Sequence, residues 1–222
     1  MNNTRAQFLE QLNRIRHDIL AMATKAEENL GKSLTALRTN NDDLAKQVRA
    51  DDAIIDSLQN KIEDEAAIII ATQQPVARDL RELVTIFKIT GNIERIGDYA
   101  AHLAKAAIRL NKAGDSPFQV QEHLGKMAET GQEMIRDAIS AYLSQDTQKA
   151  RIVAAMDIII DDEHKKLTEE VLKLMKKHPE FIKGAWQILH TSNQLERLGD
   201  HITNICESII YMTEGRHEEL ND

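Results

Sequence analysis

The chain has 222 residues, 42% of them hydrophobic, which is enough to bury a substantial core. Its net charge of -8 and the absence of a dense Lys/Arg cluster exclude a protein that runs along a nucleic-acid backbone, since such binding needs many cations to displace counterions. The single cysteine, Cys206, excludes an intramolecular disulfide and fits a reducing compartment, where it reads as a small apolar core residue.

With three prolines, nine glycines and 4% aromatics, and with Leu, Ala, Ile, Lys and Glu abundant, the composition favours helices over sheets and predicts an all-α fold. Six helical segments follow in order: Thr4 to Thr39, Asp42 to Gln74, Val76 to Asn111, Phe118 to Ser144, Asp146 to Lys177 and Glu180 to Glu214. The stretches RTNNDD, QQP, NKAGDSP, SQD and KHPE separate them. Long helices joined by short connections predict bundles. The N-terminal stretch MNNTRAQFLEQLNR lacks the apolar core of a signal peptide. The longest apolar run, Ala66 to Ala71, is far too short to span a bilayer, so a cytosolic location is expected.

The two halves read as copies. A shift of 105 places Met22 on Met127, Leu30 on Ile135, Leu34 on Ile139, Ala36 on Ala141, Val48 on Val153, Ile55 on Ile160 and Ile62 on Leu167. Beyond QQP and KHP the shift becomes 102, pairing Phe87 with Leu189 and the string ERIGD (Glu94 to Asp98) with ERLGD (Glu196 to Asp200). A duplicated three-helix unit accounts for this. It predicts two pseudo-symmetric antiparallel three-helix bundles, residues 1–112 and 113–222, with a boundary near Gly114.

The duplication exposes four carboxylate pairs spaced i, i+4: Asp52 with Asp56, Glu94 with Asp98, Asp157 with Asp161, and Glu196 with Asp200. At about 100° per residue such partners lie roughly 40° apart, one turn along the same helix face, where like charges repel by a few tenths of a kcal/mol. For Asp52 and Asp56 a solvated face is the competing explanation, because Gln59 and Glu63 continue it beside the apolar line of Ile55, Leu58 and Ile62. Glu94 instead extends a largely apolar line through Val76, Leu80, Leu83, Phe87 and Thr90, and Glu196 and Asp200 extend one through Ala185, Leu189 and Ser192. Carboxylates on a core-facing line require positive partners. Arg95 and Arg197, about 100° round the helix from their glutamates, are expected to pair with another helix.

Gly97 and Gly199 each carry a mid-helix cost of roughly 1 kcal/mol relative to alanine, which implies that a neighbouring backbone or ligand comes close at that turn. Facing carboxylates suit hard or borderline cations such as iron, manganese, magnesium or calcium, whereas zinc and copper recruit His or Cys. The one Glu-x-x-His string, Glu214 to His217, has no counterpart in the first half, so a ferritin-like site is not favoured. His164 shares a face with Asp157 and Asp161 and reads as a surface residue; Trp186 reads as core. No phosphate loop, dinucleotide motif or activated nucleophile is present, and nothing in the residues supports direct phosphate sensing.

The repeated ERIGD and ERLGD, the paired DAIID and DIIID strings, and QQPVARDLR from Gln73 to Arg81 resemble the PhoU family of phosphate-transport regulators over nearly the whole chain. The resemblance implies two three-helix bundles, metal clusters at E(D)xxxD motifs, and cytoplasmic negative regulation of phosphate uptake and starvation signalling. It also implies contacts with the ATPase subunit of a phosphate ABC importer and with a phosphate-responsive sensor histidine kinase, without catalysis. Carried over to this chain, one cluster comprises Asp52, Asp56, Glu94 and Asp98, and the other Asp157, Asp161, Glu196 and Asp200. Iron is the favoured ion and a homodimer the expected assembly. The second half has KHPEFIKGAW where the first has QQPVARDLR, losing counterparts of Arg78, Asp79 and Arg81, so the halves need not act alike. The alternative is a carboxylate-bridged metalloenzyme of the helical-bundle type.

Overall fold

The computed structural model describes residues 2–113 and 120–220. Among the described residues seven helices and one 3-10 turn make up the regular structure: α1 (Asn2–Thr39), α2 (Asp42–Gln73), α3 (Ala77–Ala113), α4 (Val120–Ser144), α5 (Thr147–Ala155), α6 (Asp157–Lys177), the turn Pro179–Phe181, and α7 (Ile182–Glu214). Helices α1, α2 and α3 pack on one another, as do α4, α5/α6 and α7, giving two antiparallel three-helix bundles. The expected boundary at Gly114, and Phe118 as a helix start, lie outside the described residues.

The bundles form because each helix carries an apolar line at helical spacing. In α1 that line is Leu12, Ile15, Ile19, Met22, Ala26, Leu30 and Leu37, all buried. Residues matched across the duplication are buried alike: Met22 and Met127, Leu34 and Ile139, Val48 and Val153, Ile55 and Ile160, Ile62 and Leu167. Each such side chain removed from water contributes about 1.5–3 kcal/mol before entropy opposes it.

The first turn of each half uses the same device. Asn40 and Gln145 take left-handed backbone, with φ of 52° and 55°. The following residue then caps the next helix: the Asn41 side chain accepts from Leu44 N, and that of Asp146 accepts from Gln148 N and Lys149 N. The returning N–H groups of Asn41 and Asp146 donate to the carbonyls of Ala36 and Ala141, themselves a matched pair. The second turns differ, since Gln74 is left-handed before Pro75 in the first half whereas Pro179 opens a 3-10 turn in the second.

Where one helix was expected from Asp146 to Lys177, the structure has two. At Met156 the backbone bond shortens to i−3, from Met156 N to Val153 O, and α6 begins directly at Asp157. Apolar spacing does not register one tightened turn, which is why the segment reads as continuous.

The halves join along α3 and α7, flanked by α1 against α4. The central helices run antiparallel, so side chains pair in opposite order along them. Lys88 lies over the Tyr211 ring at 5.3 Å, His201 Nδ1 bonds Asn92 Oδ1 at 2.7 Å, His102 Nδ1 bonds Gln194 Oε1 at 3.1 Å, and Arg109 donates to Gln187 Oε1 at 3.0 Å. Tyr99 sits mid-seam, 5.6 Å from the His201 ring.

Trp186, expected in the core, is 65% exposed. The buried line of α7 runs through Ala185, Ile188 and Ser192, one residue round from Trp186, whose indole turns outward and stacks on His190. The apolar line leading to Glu94 is likewise open at its start: Val76 and Leu80 are exposed, and burial begins at Leu83. Cys206 is fully buried as expected, and burial pushes its thiol up to about 12, leaving it protonated at neutral pH.

Candidate metal centres

The carboxylates of each quartet lie on two packed helices, near enough to feel one another's charge. In the first half Asp52 and Asp56 on α2 face Glu94 and Asp98 on α3. In the second, Asp157 and Asp161 on α6 face Glu196 and Asp200 on α7. Partial burial raises Asp52 above its ordinary value, and the charges of Asp98 and Asp56 raise it further. Burial also raises Glu94, followed by Asp98 and, more weakly, Asp56 and Asp52.

The second groove is more strained. Burial, then Asp161, Asp200 and Glu196, push Asp157 up to about 7, and a long hydrogen bond from Thr203 only partly offsets them. Asp161, Glu196 and Asp200 are raised as well, by burial first. Asp157 is 7% exposed and its Oδ1 is buried without a hydrogen-bond partner. A buried, unpaired acceptor ordinarily costs 1–3 kcal/mol, more when charged, unless something positive satisfies it.

The arginines inside the motifs do not supply that charge in the expected way. Arg95 stays on its own helix, 3.5 Å from Glu94 and 3.3 Å from Asp98, rather than reaching across. Arg197 does reach another helix, but toward a ring: its guanidinium lies 5.8 Å from the centroid of Tyr99 at the seam between the bundles.

The glycines explain how the helices approach. A Cβ on Gly97 would lie 2.7 Å from Cδ1 of Ile55 and 3.6 Å from Oδ1 of Asp52, while on Gly199 it would overlap Asp157 Oδ1. Gly199→Ala is therefore expected to destabilise by about 1–3 kcal/mol despite alanine's better helix propensity, because a short buried carboxylate cannot swing aside. Gly97→Ala, opposed mainly by a flexible isoleucine tip, is expected near neutral. Urea unfolding of both variants checks the contrast.

His164, read from the sequence as a surface residue, is half-buried in the second groove, with Nδ1 2.8 Å from Ser192 Oγ. Burial lowers its pKa although Asp161 opposes this, so the ring is neutral at neutral pH. Its counterpart Gln59 reaches Glu63, which in turn accepts from Thr90, the counterpart of Ser192. Matched polar side chains thus bond between the second and third helices of each half. The shared face of His164 with Asp157 and Asp161 was the available signal; its burial came only from α7 folding over it.

Among the described residues no three His, Cys, Asp or Glu side chains stand close enough together to hold an ion as placed. The donor chemistry nevertheless fits one. The quartets are all-oxygen, and Asp157 Oδ1 is a buried acceptor without a hydrogen-bond partner.

A family model described as PhoU domain matches the chain twice, over residues 19–107 and 124–209. The chain is 34% identical over 220 residues to a Clostridium acetobutylicum protein named phosphate-specific transport system accessory protein PhoU homolog, covering 99% of this chain and 100% of the relative. It superposes on the crystal structure of PhoU from Pseudomonas aeruginosa with a TM-score of 0.90 at 33% identity, covering 94% of this chain and 100% of the other. The phosphate transport system regulatory protein PhoU from Streptococcus pneumoniae matches with a TM-score of 0.88 at 29% identity, covering 96% and 99% of the two chains. With both repeats matched and the two bundles superposing over nearly their full length, the chain belongs to the PhoU family.

Proposed function

We propose that this protein is a non-catalytic regulator of phosphate uptake and phosphate-starvation signalling, working in the cytoplasm by docking to the ATPase subunit of a phosphate importer and to a phosphate-responsive sensor histidine kinase. The observation that carries this reading is the full-length match to accessory proteins of phosphate-specific transport systems, spanning both repeats. No helix among the described residues is long and apolar enough to cross a membrane, which fits a partner that meets the transporter from outside the bilayer. The net charge of -8 offers acidic helix faces to basic partner surfaces, and such contacts weaken as salt screens charges beyond about 10 Å at 0.1 M. A homodimer remains part of the proposal.

In this reading Asp52, Asp56, Glu94 and Asp98 hold one cation, with iron favoured, and Asp157, Asp161, Glu196 and Asp200 hold another. The cation supplies positive charge that ties α2 to α3 and α6 to α7. The protein's own part is to gather the carboxylates on facing helices and to leave room for them at Gly97 and Gly199.

Deleting the gene is expected to switch on phosphate-starvation genes in phosphate-rich medium, and re-expressing the protein to silence them. Normal repression in the deletion strain, with no second copy to compensate, contradicts the assignment. Co-purification with the importer ATPase that fades as salt rises tests the docking separately.

A further inference from the structure

Acidic residues are spread through this chain, 36 of them among 222 positions, yet residues 99–114 and 181–195 contain no Asp or Glu. The fold brings their described parts, residues 99–113 and 181–195, face to face at the end of the α3–α7 seam away from Lys88 and Tyr211. Between them lies a cleft of about 100 Å³ lined by His102, Lys105, Arg109, Gln187, His190 and Gln194, with the buried Thr191 at its base. That volume is several times what a single water needs, but too small for a nucleoside.

The polar groups of the cleft are arranged as donors. Gln187 spends its acceptor oxygen on Arg109, and Gln194 spends its own on His102 Nδ1, which turns both amide NH2 groups away from those partners. The Thr191 hydroxyl donates to the Gln187 carbonyl. Neither Lys105 nor Arg109 has a carboxylate within ion-pair distance among the described residues, whereas Arg16, Lys25, Arg38 and Arg136 each have one. Lys105 and Arg109 thus carry donors only, and the oxygens of both glutamines that line the cleft with them are already engaged. Such a set is completed by an anion with several oxygens.

The duplication supplies an internal contrast. At the matching position of the other end, Tyr211 stands where Arg109 would be and Lys88 where His190 would be, and the lysine lies over the tyrosine ring. That end is closed by a cation–π contact, while this one is open and positively charged.

We propose that the cleft between α3 and α7 binds a small tetrahedral oxyanion of the phosphate class, either free or as the phosphoryl group of a larger ligand, through Lys105, Arg109 and the amides of Gln187 and Gln194. The site is separate from the carboxylate grooves and does not depend on their holding metal. Trp186, the only tryptophan, stacks on His190 at the rim and reports on it.

The test is titration of the full chain with inorganic phosphate at constant ionic strength, followed by Trp186 fluorescence and by thermal melting. Saturable responses are expected below ~10 mM, where a millimolar site would be nearly filled. Lys105→Ala, an exposed side chain whose loss leaves the fold intact, should weaken binding about tenfold, and adding Arg109→Ala should abolish it. Arg38→Ala, a cation on the α1–α4 side, should leave it unchanged. Phosphoserine as a second titrant separates the sources: tighter binding than inorganic phosphate assigns a phosphorylated ligand, and equal or weaker binding assigns the free ion. No saturable response by either readout, or an equal loss in Lys105→Ala and Arg38→Ala, overturns the proposal.

Discussion

Replacing Asp157 by asparagine is expected to stabilise the metal-free protein at about pH 8 and to leave its stability unchanged at about pH 4. The folded-state pKa is raised from 3.8 to about 7, so the fold favours the protonated acid more than the unfolded chain does. Below about pH 4 both states are protonated and nothing is lost. As pH climbs from about 4 through about 7 the unfolded chain gives up its proton first, and the native protein loses stability across that window. At roughly 1.4 kcal/mol per unit the full loss is about 4 kcal/mol, an upper figure because neighbouring carboxylates relax together. Asparagine keeps the shape and carries no charge, so it escapes this loss. Urea midpoints of wild type and Asp157→Asn in chelator, at both pH values, read the difference. An asparagine variant no more stable than wild type at the higher pH would show that the groove already neutralises the charge.

Adding Mn²⁺ or Fe²⁺ to chelator-treated wild type is expected to reverse that ranking. A cation that binds only the folded state stabilises it by about 2.7 kcal/mol at a hundredfold excess over its Kd, and Asp157→Asn forfeits much of this gain. Replacing Glu94 and Asp98 together by alanine should remove about half of the bound metal, and replacing Glu196 and Asp200 the other half. Helicity should survive in both, since each pair removed is a like-charge pair whose repulsion costs a few tenths of a kcal/mol. Elemental analysis beside circular dichroism makes the measurement. Metal content unchanged by both double variants would make the carboxylates structural only.

The expectation for Asp157 has no equal in the first half, although the motifs ERIGD and ERLGD read almost alike. The inequality coincides with a tightened turn in the second half only. After Met156, α6 starts at Asp157, whose carboxylate lies against Gly199, whereas α2 runs unbroken past Asp52, which stays half-buried beside Gly97. The two i−3 bonds there, Met156 N to Val153 O and Ile159 N to Met156 O, leave the apolar spacing intact, so they have no signature in the residue pattern.

By itself the sequence determined the helical class, the duplicated unit, the matched core positions and the carboxylate pairs, because helical periodicity and repetition are properties of one strand of chain. The turn residues Asn40–Asn41 and Gln145–Asp146 were also legible as breaks, since their chemistry is local. What only the tertiary structure decided is which faces meet. Trp186 is exposed because α7 turns Ala185 and Ile188 inward; His164 is half-buried because α7 covers it; Arg95 stays at home while Arg197 reaches Tyr99. The two acid-free stretches could be read from the sequence, but their opposition across one cleft could not. Charge on a distant segment changes nothing until packing brings it within a few ångströms, where water no longer screens it.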